Sequence, residues 1–163
     1  MSIKKGFLIE LDRETSNTKL LLNRLTDENL SFKPHPKSMT LGELASHIVE
    51  LHNWVKNALS FDVFDFHTMY RPFKATSVQE ILNVLEEGYQ GNVSTIENLS
   101  DDDWQRLWTL KAGEHIIASM PKIGAFRFIL HNHLIHHRGQ LTVYMRLLDI
   151  TLPGLYGPSA DEQ

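Results

Sequence analysis

Apolar residues recur at helical spacing along almost the whole of this chain, in four stretches separated by breaks. Phe7, Leu11, Thr15, Thr18, Leu22 and Leu25 make the stripe of a first helix. Leu44, His47, Leu51, Trp54 and Ala58 make that of a second, and Val78, Ile81, Leu85, Asn92 and Ile96 that of a third. Two of the starts are marked locally. Thr40-Leu-Gly-Glu43 and Ser77-Val-Gln-Glu80 are capping boxes, in which the hydroxyl accepts from the fourth residue's N–H and the glutamate reaches back. Pro121 suits the first turn of a fourth helix that runs to about Asp149. Phe61 to Ala75 reads as a loop, and the tail from Thr151 is rich in Pro, Gly and Ser. Only Trp104 to Ser119 lacks a clear period; it reads as a helical turn and a hairpin-like piece around Gly113. Four long helices and no convincing sheet predict an all-α four-helix bundle, one domain over residues 1–163. The second-to-third link has about 17 residues and the third-to-fourth about 22. Bundle connections usually take roughly 2–8, so these are long enough to join helices that are not neighbours.

Composition narrows the function classes. Sixteen basic against twenty acidic residues give a net charge of −4, the wrong sign for a surface that tracks phosphates. Nucleic acid is not an expected partner. No apolar run approaches the roughly 20 residues of a membrane span, and no secretory signal is visible. The chain has no cysteine, which excludes thiolate metal sites and a cysteine nucleophile and fits a reducing cytoplasm.

It has nine histidines, four of them within His131-Asn-His133-Leu-Ile-His136-His137. On a helix, residues four apart stand one above the other, so His133 and His137 share a face. Gln140 and Tyr144 continue that stripe, and Phe126, Ile129 and Leu130 precede it, which points the pair into the bundle. His131 and Arg138 then point away, and His136 sits at the edge. Two imidazoles at this spacing can reach one divalent ion at about 2.0–2.1 Å. His47, inside the apolar stripe of the second helix, is the expected third ligand. His35, His52, His67, His115 and His131 read as surface residues. Glu43 and Glu50 flank His47 as the nearest carboxylates, with a helix cap and a solvated face as their ordinary roles. Other metal and nucleophile motifs fail. Leu134 stands where a metalloprotease carries its glutamate, and no Gly-rich phosphate loop or Gly-x-Ser-x-Gly elbow occurs.

Three histidines leave a divalent ion at least one open position, the catalytic pattern and not the closed structural one. With no charged ligand the ion keeps its full charge and lowers the pKa of a bound water or thiol. Imidazole suits several metals, with zinc or nickel the first expectation.

The spacing His-x-x-x-His-Arg-Gly-Gln at His133–Gln140, with a histidine after Thr40-Leu-Gly-Glu-Leu at His47, resembles the DinB family of damage-inducible, metal-binding four-helix bundles. The Tyr156-Gly-Pro-Ser-Ala-Asp tail is similar to tails in that family, and the resemblance spans the chain. It implies His47, His133 and His137 as the metal triad, an up-down-down-up course and a homodimer. It also implies relatives that use low-molecular-weight thiols such as bacillithiol or mycothiol, maleylpyruvate isomerases among them.

The leading expectation is therefore a metal-dependent thiol S-transferase or isomerase acting on a small electrophile. Thr15, Thr18 and Asn92 interrupt core stripes and are candidates to line its pocket. In a hydrolytic version, Gln140 and Tyr144 would orient water or substrate. The non-enzymatic alternative is a stress-related bundle that binds metal or ligand. Leu20, Leu21, Ile48 and Val55 fall off the core stripes and offer apolar surface to a second copy. Tyr156, between chain-breaking residues, is a candidate lid over the metal pocket.

Overall fold

In the computed structural model, residues 2–162 are described. The four expected helices are α1 (Ile3–Leu22), α2 (Leu41–Ala58), α3 (Val78–Asn98) and a composite α4. Three contiguous segments make up α4: Lys122–Gly124, a π-helical stretch Ala125–His131, and Asn132–Leu147. The Thr40 box forms in full, while the Ser77 box forms by half, its Glu80 carboxylate accepting from the Thr76 N–H at 2.8 Å instead. The Thr40 hydroxyl accepts from the Glu43 N–H while Glu43 accepts from the Thr40 N–H at 2.8 Å, and the Ser77 hydroxyl accepts from the Glu80 N–H at 3.2 Å.

Side-chain contacts give the helix directions. Ser46 meets Ala75 and Asn92 meets Lys56, so α2 and α3 are parallel neighbours. Lys19 pairs with Glu86 and Lys4 with Glu97, so α1 and α3 are antiparallel. His47 faces His137 while Tyr144 reaches back to Met39, so α4 is antiparallel to α2. The chain thus goes along, back, back and along again, with α1 and α2 diagonal to each other.

The all-α expectation needs correcting. A three-stranded sheet, β1 (Val63–Asp65), β2 (Leu107–Ala112) and β3 (His115–Pro121), covers one end. The order is β1-β2-β3, with β1 parallel and β3 antiparallel to β2. The β2–β3 turn is the hairpin expected at Gly113, whose φ of +62° suits glycine. β1 lies inside the segment expected to be all loop. Three residues are too few to show alternation, and its partner is more than 40 positions away in sequence. The Trp108 indole N–H donates to the Ala58 carbonyl at 3.2 Å and pins the sheet to the end of α2.

Two clusters fill the interior. One is aliphatic, built on Leu22, Leu44, Ile48, Ile81, Leu134 and Leu141. The other is aromatic, built on Phe7, Trp54, Phe64, Trp104, Trp108 and Phe126, and lies under the sheet. Leu21, Ile48 and Val55 are fully buried within the monomer, so they offer nothing to a second copy; only Leu20 is exposed. Sitting between two flanking helices, α2 is buried on most of its circumference, and off-stripe positions there are still core. Thr15, Thr18 and Asn92 do not line the cavities beside the histidines. They are buried and bonded: Thr15 to the Leu11 carbonyl, Thr18 to the Glu14 carbonyl, Asn92 to the His52 carbonyl. No helix among the described residues is long and apolar enough to cross a membrane.

Candidate metal centre

The structure brings His47 of α2 and His133 and His137 of α4 together. One ring nitrogen from each lies within 4.8 Å of the other two. The rings of His47 and His137 are 4.7 Å apart, those of His133 and His137 4.6 Å, and those of His47 and His133 5.4 Å. The α-helical rise stacks His133 over His137, and the antiparallel crossing of α2 lays His47 across the pair.

Each ring is oriented from behind. His47 Nδ1 donates to Glu50 at 3.2 Å, and His137 Nδ1 donates to the Gln140 amide oxygen at 2.7 Å. His133 bonds the Ile129 backbone, one turn earlier. With Nδ1 engaged in His47 and His137, the Nε2 of each is left to face the third ring. His133 Nε2 and His137 Nε2 are only 2.9 Å apart. At that distance either one ring donates its N–H to the other, or both lone pairs turn to a shared cation. The donor set, three imidazoles with outer acceptors, fits a divalent transition metal. Burial, then the neighbouring imidazoles, pushes the His133 pKa down to about 4, and burial lowers that of His137. Both rings are neutral, and so available as ligands, at pH 7.

The true core stripe of α4 is Leu134, Arg138, Leu141 and Met145, not the histidine stripe. His133 and His137 stand at its margin, half-buried, where a small molecule can reach them. His131 and Arg138, expected to point outward, are buried on the core side, at 7% and 1% exposure. Their polarity disguised the stripe. His131 stacks on Phe126 with ring centres 4.4 Å apart. Arg138 bonds Glu14, the Glu14 carbonyl and Thr18. His52, also expected at the surface, is buried and bonds Thr15 at 2.8 Å and Asn53 at 2.9 Å. His35, His67 and His115 are exposed, as expected.

Gln140 stands beside His137, and the Tyr144 hydroxyl donates to the Met39 carbonyl at 3.2 Å. Tyr156 is not a lid on this site. Its hydroxyl donates to Glu14 at 2.7 Å and accepts from Arg138, on the α1 side of α4.

The sequence reading did not find Tyr70 and undervalued Glu50. Glu43 is only the cap, whereas Glu50 is the carboxylate behind His47 and also accepts from the Tyr70 hydroxyl at 3.1 Å and from the Phe73 N–H. Burial, then Glu50, pushes the Tyr70 pKa up to about 12, so its hydroxyl stays a donor. Tyr70 lies in the aperiodic connection between α2 and α3, and only its place before Arg71-Pro72 marks it. Two cavities meet at His47, Glu50 and Tyr70. One, of about 230 Å³, is apolar and reaches Trp54, Phe66 and Phe128; the other, of about 250 Å³, is the more open and more polar of the two, with Glu43 and Lys74 on its wall.

A helix pair brings three histidines that could hold a metal ion together beside a cavity, in a helical bundle with a sheet at one end. The chain belongs to the DinB family, whose model matches residues 1–163. It is similar to YrdA of Bacillus subtilis strain 168, itself uncharacterized, at 29% identity over 96% of this chain and 89% of YrdA. A DinB-like protein from Bacillus cereus ATCC 10987 has a TM-score of 0.73 at 30% identity, covering 95% of this chain and 98% of that one. The DinB-like protein YjoA of Bacillus subtilis shares the fold, with a TM-score of 0.72 at 18% identity, 97% of this chain and 99% of that one being covered.

Proposed function

We propose that the protein binds one divalent transition metal, zinc or nickel, through His47, His133 and His137, and acts as a thiol S-transferase or isomerase on a small electrophile. The observation that carries the metal is the meeting of three imidazoles, two of them with facing Nε2 atoms 2.9 Å apart. The resemblance to thiol-using relatives supplies the reaction class. A bound divalent ion would supply Lewis acidity, lowering the pKa of a thiol or water in its open position.

The rest is the work of the chain's own groups. Glu50, Gln140 and the Ile129 backbone hold the three rings in place. Gln140 thus acts through His137, and Tyr144 fixes the Met39 edge of the polar cavity. Leu51, Trp54 and Ile129 keep water from one side of the site, while the polar cavity leaves the other side open.

Elemental analysis of purified protein tests the metal. His137→Ala and His47→Ala should lose most bound metal, and His136→Ala should keep it. Equal retention or equal loss in all three would reject the triad. A thiol-conjugation screen of the loaded protein tests the reaction class; metal bound with no turnover of any thiol–electrophile pair would leave the binding-protein alternative.

A further inference from the structure

The geometry points to the apolar cavity beside the triad as a recognition site for a compact, neutral aromatic group, carried by a molecule whose metal-binding atom reaches His47 and His133. This rests on the proposed metal reading and adds the class of ligand.

Size comes first. The cavity has about 230 Å³, against roughly 150 Å³ for an apolar protein cavity that takes up benzene. One substituted ring fits, and a long chain does not. The wall chemistry agrees. Trp54, Phe66, Tyr70 and Phe128 surround the space, with Leu110 and Ile129 between them. Trp54 and Phe66 are 5.5 Å apart at 59°, and Phe66 and Tyr70 4.5 Å apart at 41°, tilts that leave ring faces and edges to meet a further ring.

Charge selects next. Neither lysine nor arginine lines this cavity, and its one carboxylate, Glu50, is already occupied by His47, Tyr70 and the Phe73 N–H. An ionic group placed inside would be desolvated without a partner, which disfavours it against a neutral ring. The cations of this region lie elsewhere: Lys74 on the polar cavity, Lys56 and Arg71 on a third, beyond Trp54 and Tyr70.

Phe128 is the most specific mark. It is 66% exposed on the π-helical segment, one turn before His133, and it forms the cavity mouth. The core does not need it, yet a ring entering the cavity would cover it.

The test uses the full-length protein loaded with cobalt(II), whose visible spectrum reports a bound thiolate. Phenylmethanethiol should half-saturate at a concentration at least about tenfold below ethanethiol, the scale of burying one ring in a fitted pocket. Phe128→Ala and Phe66→Leu should erase most of that preference with cobalt content unchanged. In metal-free protein, benzyl alcohol should shift tryptophan emission saturably through Trp54, and ethanol should not. Equal half-saturation by the two thiols, or a preference unmoved in both variants, overturns the inference. Absence of a saturable benzyl alcohol response overturns it independently of metal. Failure to bind cobalt, with the benzyl alcohol response intact, overturns the metal reading alone.

Discussion

His52 is buried with a pKa pushed down to about 4, chiefly by loss of solvent. An unfolded histidine titrates near 6.5. The folded state therefore prefers the neutral ring. Stability from this group is complete above pH 6.5 and is lost as the pH falls from 6.5 towards 4. At about 1.4 kcal/mol per unit, the loss approaches roughly 3 kcal/mol. Denaturant melts across that interval should fall steeply in the wild type and less steeply in His52→Gln. His131 behaves differently under substitution. Its Nε2 is buried without a partner among the described residues, and its ring stacks on Phe126. His131→Phe should melt no lower than wild type, whereas His131→Ala should cost about 2–3 kcal/mol through the cavity it leaves. Arg138→Ala strands Glu14 and should cost about 3–5 kcal/mol; Tyr156→Phe, which removes one hydroxyl from the same group, should cost about 1. The meeting of His133 with His137 was legible because a four-residue spacing is a local geometric fact. The burial of His52, His131 and Arg138 was not, because it depends on which helices flank a face, and no single stripe records its neighbours.

The contact between α2 and α3 depends on Gly88. A Cβ there would stand 1.6 Å from the Asn53 amide oxygen, and Asn53 in turn holds His52 and the Val84 carbonyl. Gly88→Ala should therefore lower stability by about 1–3 kcal/mol, measured by urea unfolding. It should spare the triad, none of whose ligands lies on α3. The helices themselves were readable from period and caps, and the hairpin from Gly113. The sheet as a whole was not. β1 is three residues long, and its parallel pairing with β2 links segments whose sequences give no sign of each other. The π-helical segment of α4 was equally hidden. An extra residue in a turn changes no composition, yet it sets the place from which Phe128 and Ile129 reach the cavity.

If the triad holds metal in the folded state only, chelation should lower the melting temperature. Metal at a hundredfold excess over its Kd contributes about 2.7 kcal/mol, or roughly 5–10 °C for a chain of this size. Lowering the pH should release the metal, since protons compete for the same nitrogens. Unchanged melting of demonstrably loaded protein on adding chelator would contradict this. We also propose a homodimer, now through apolar residues the monomer leaves open, Leu107 on β2 and Ile116 and Ile117 on the edge strand β3. Light scattering at micromolar concentration should give twice the chain mass, and a single-chain mass refutes it. The two long links had already shown that the helices need not simply alternate. Their meaning lies in the parallel run of α2 and α3. Neighbours that point the same way can be joined only by a strand of chain travelling the length of the 18-residue α2, about 27 Å. That return journey carries Phe66, Tyr70 and Phe73 past the histidines. The three histidines belong to the helices, and much of the chamber beside them belongs to the crossing. A chain built this way can reshape that chamber by editing one connection and leave the histidines where they are.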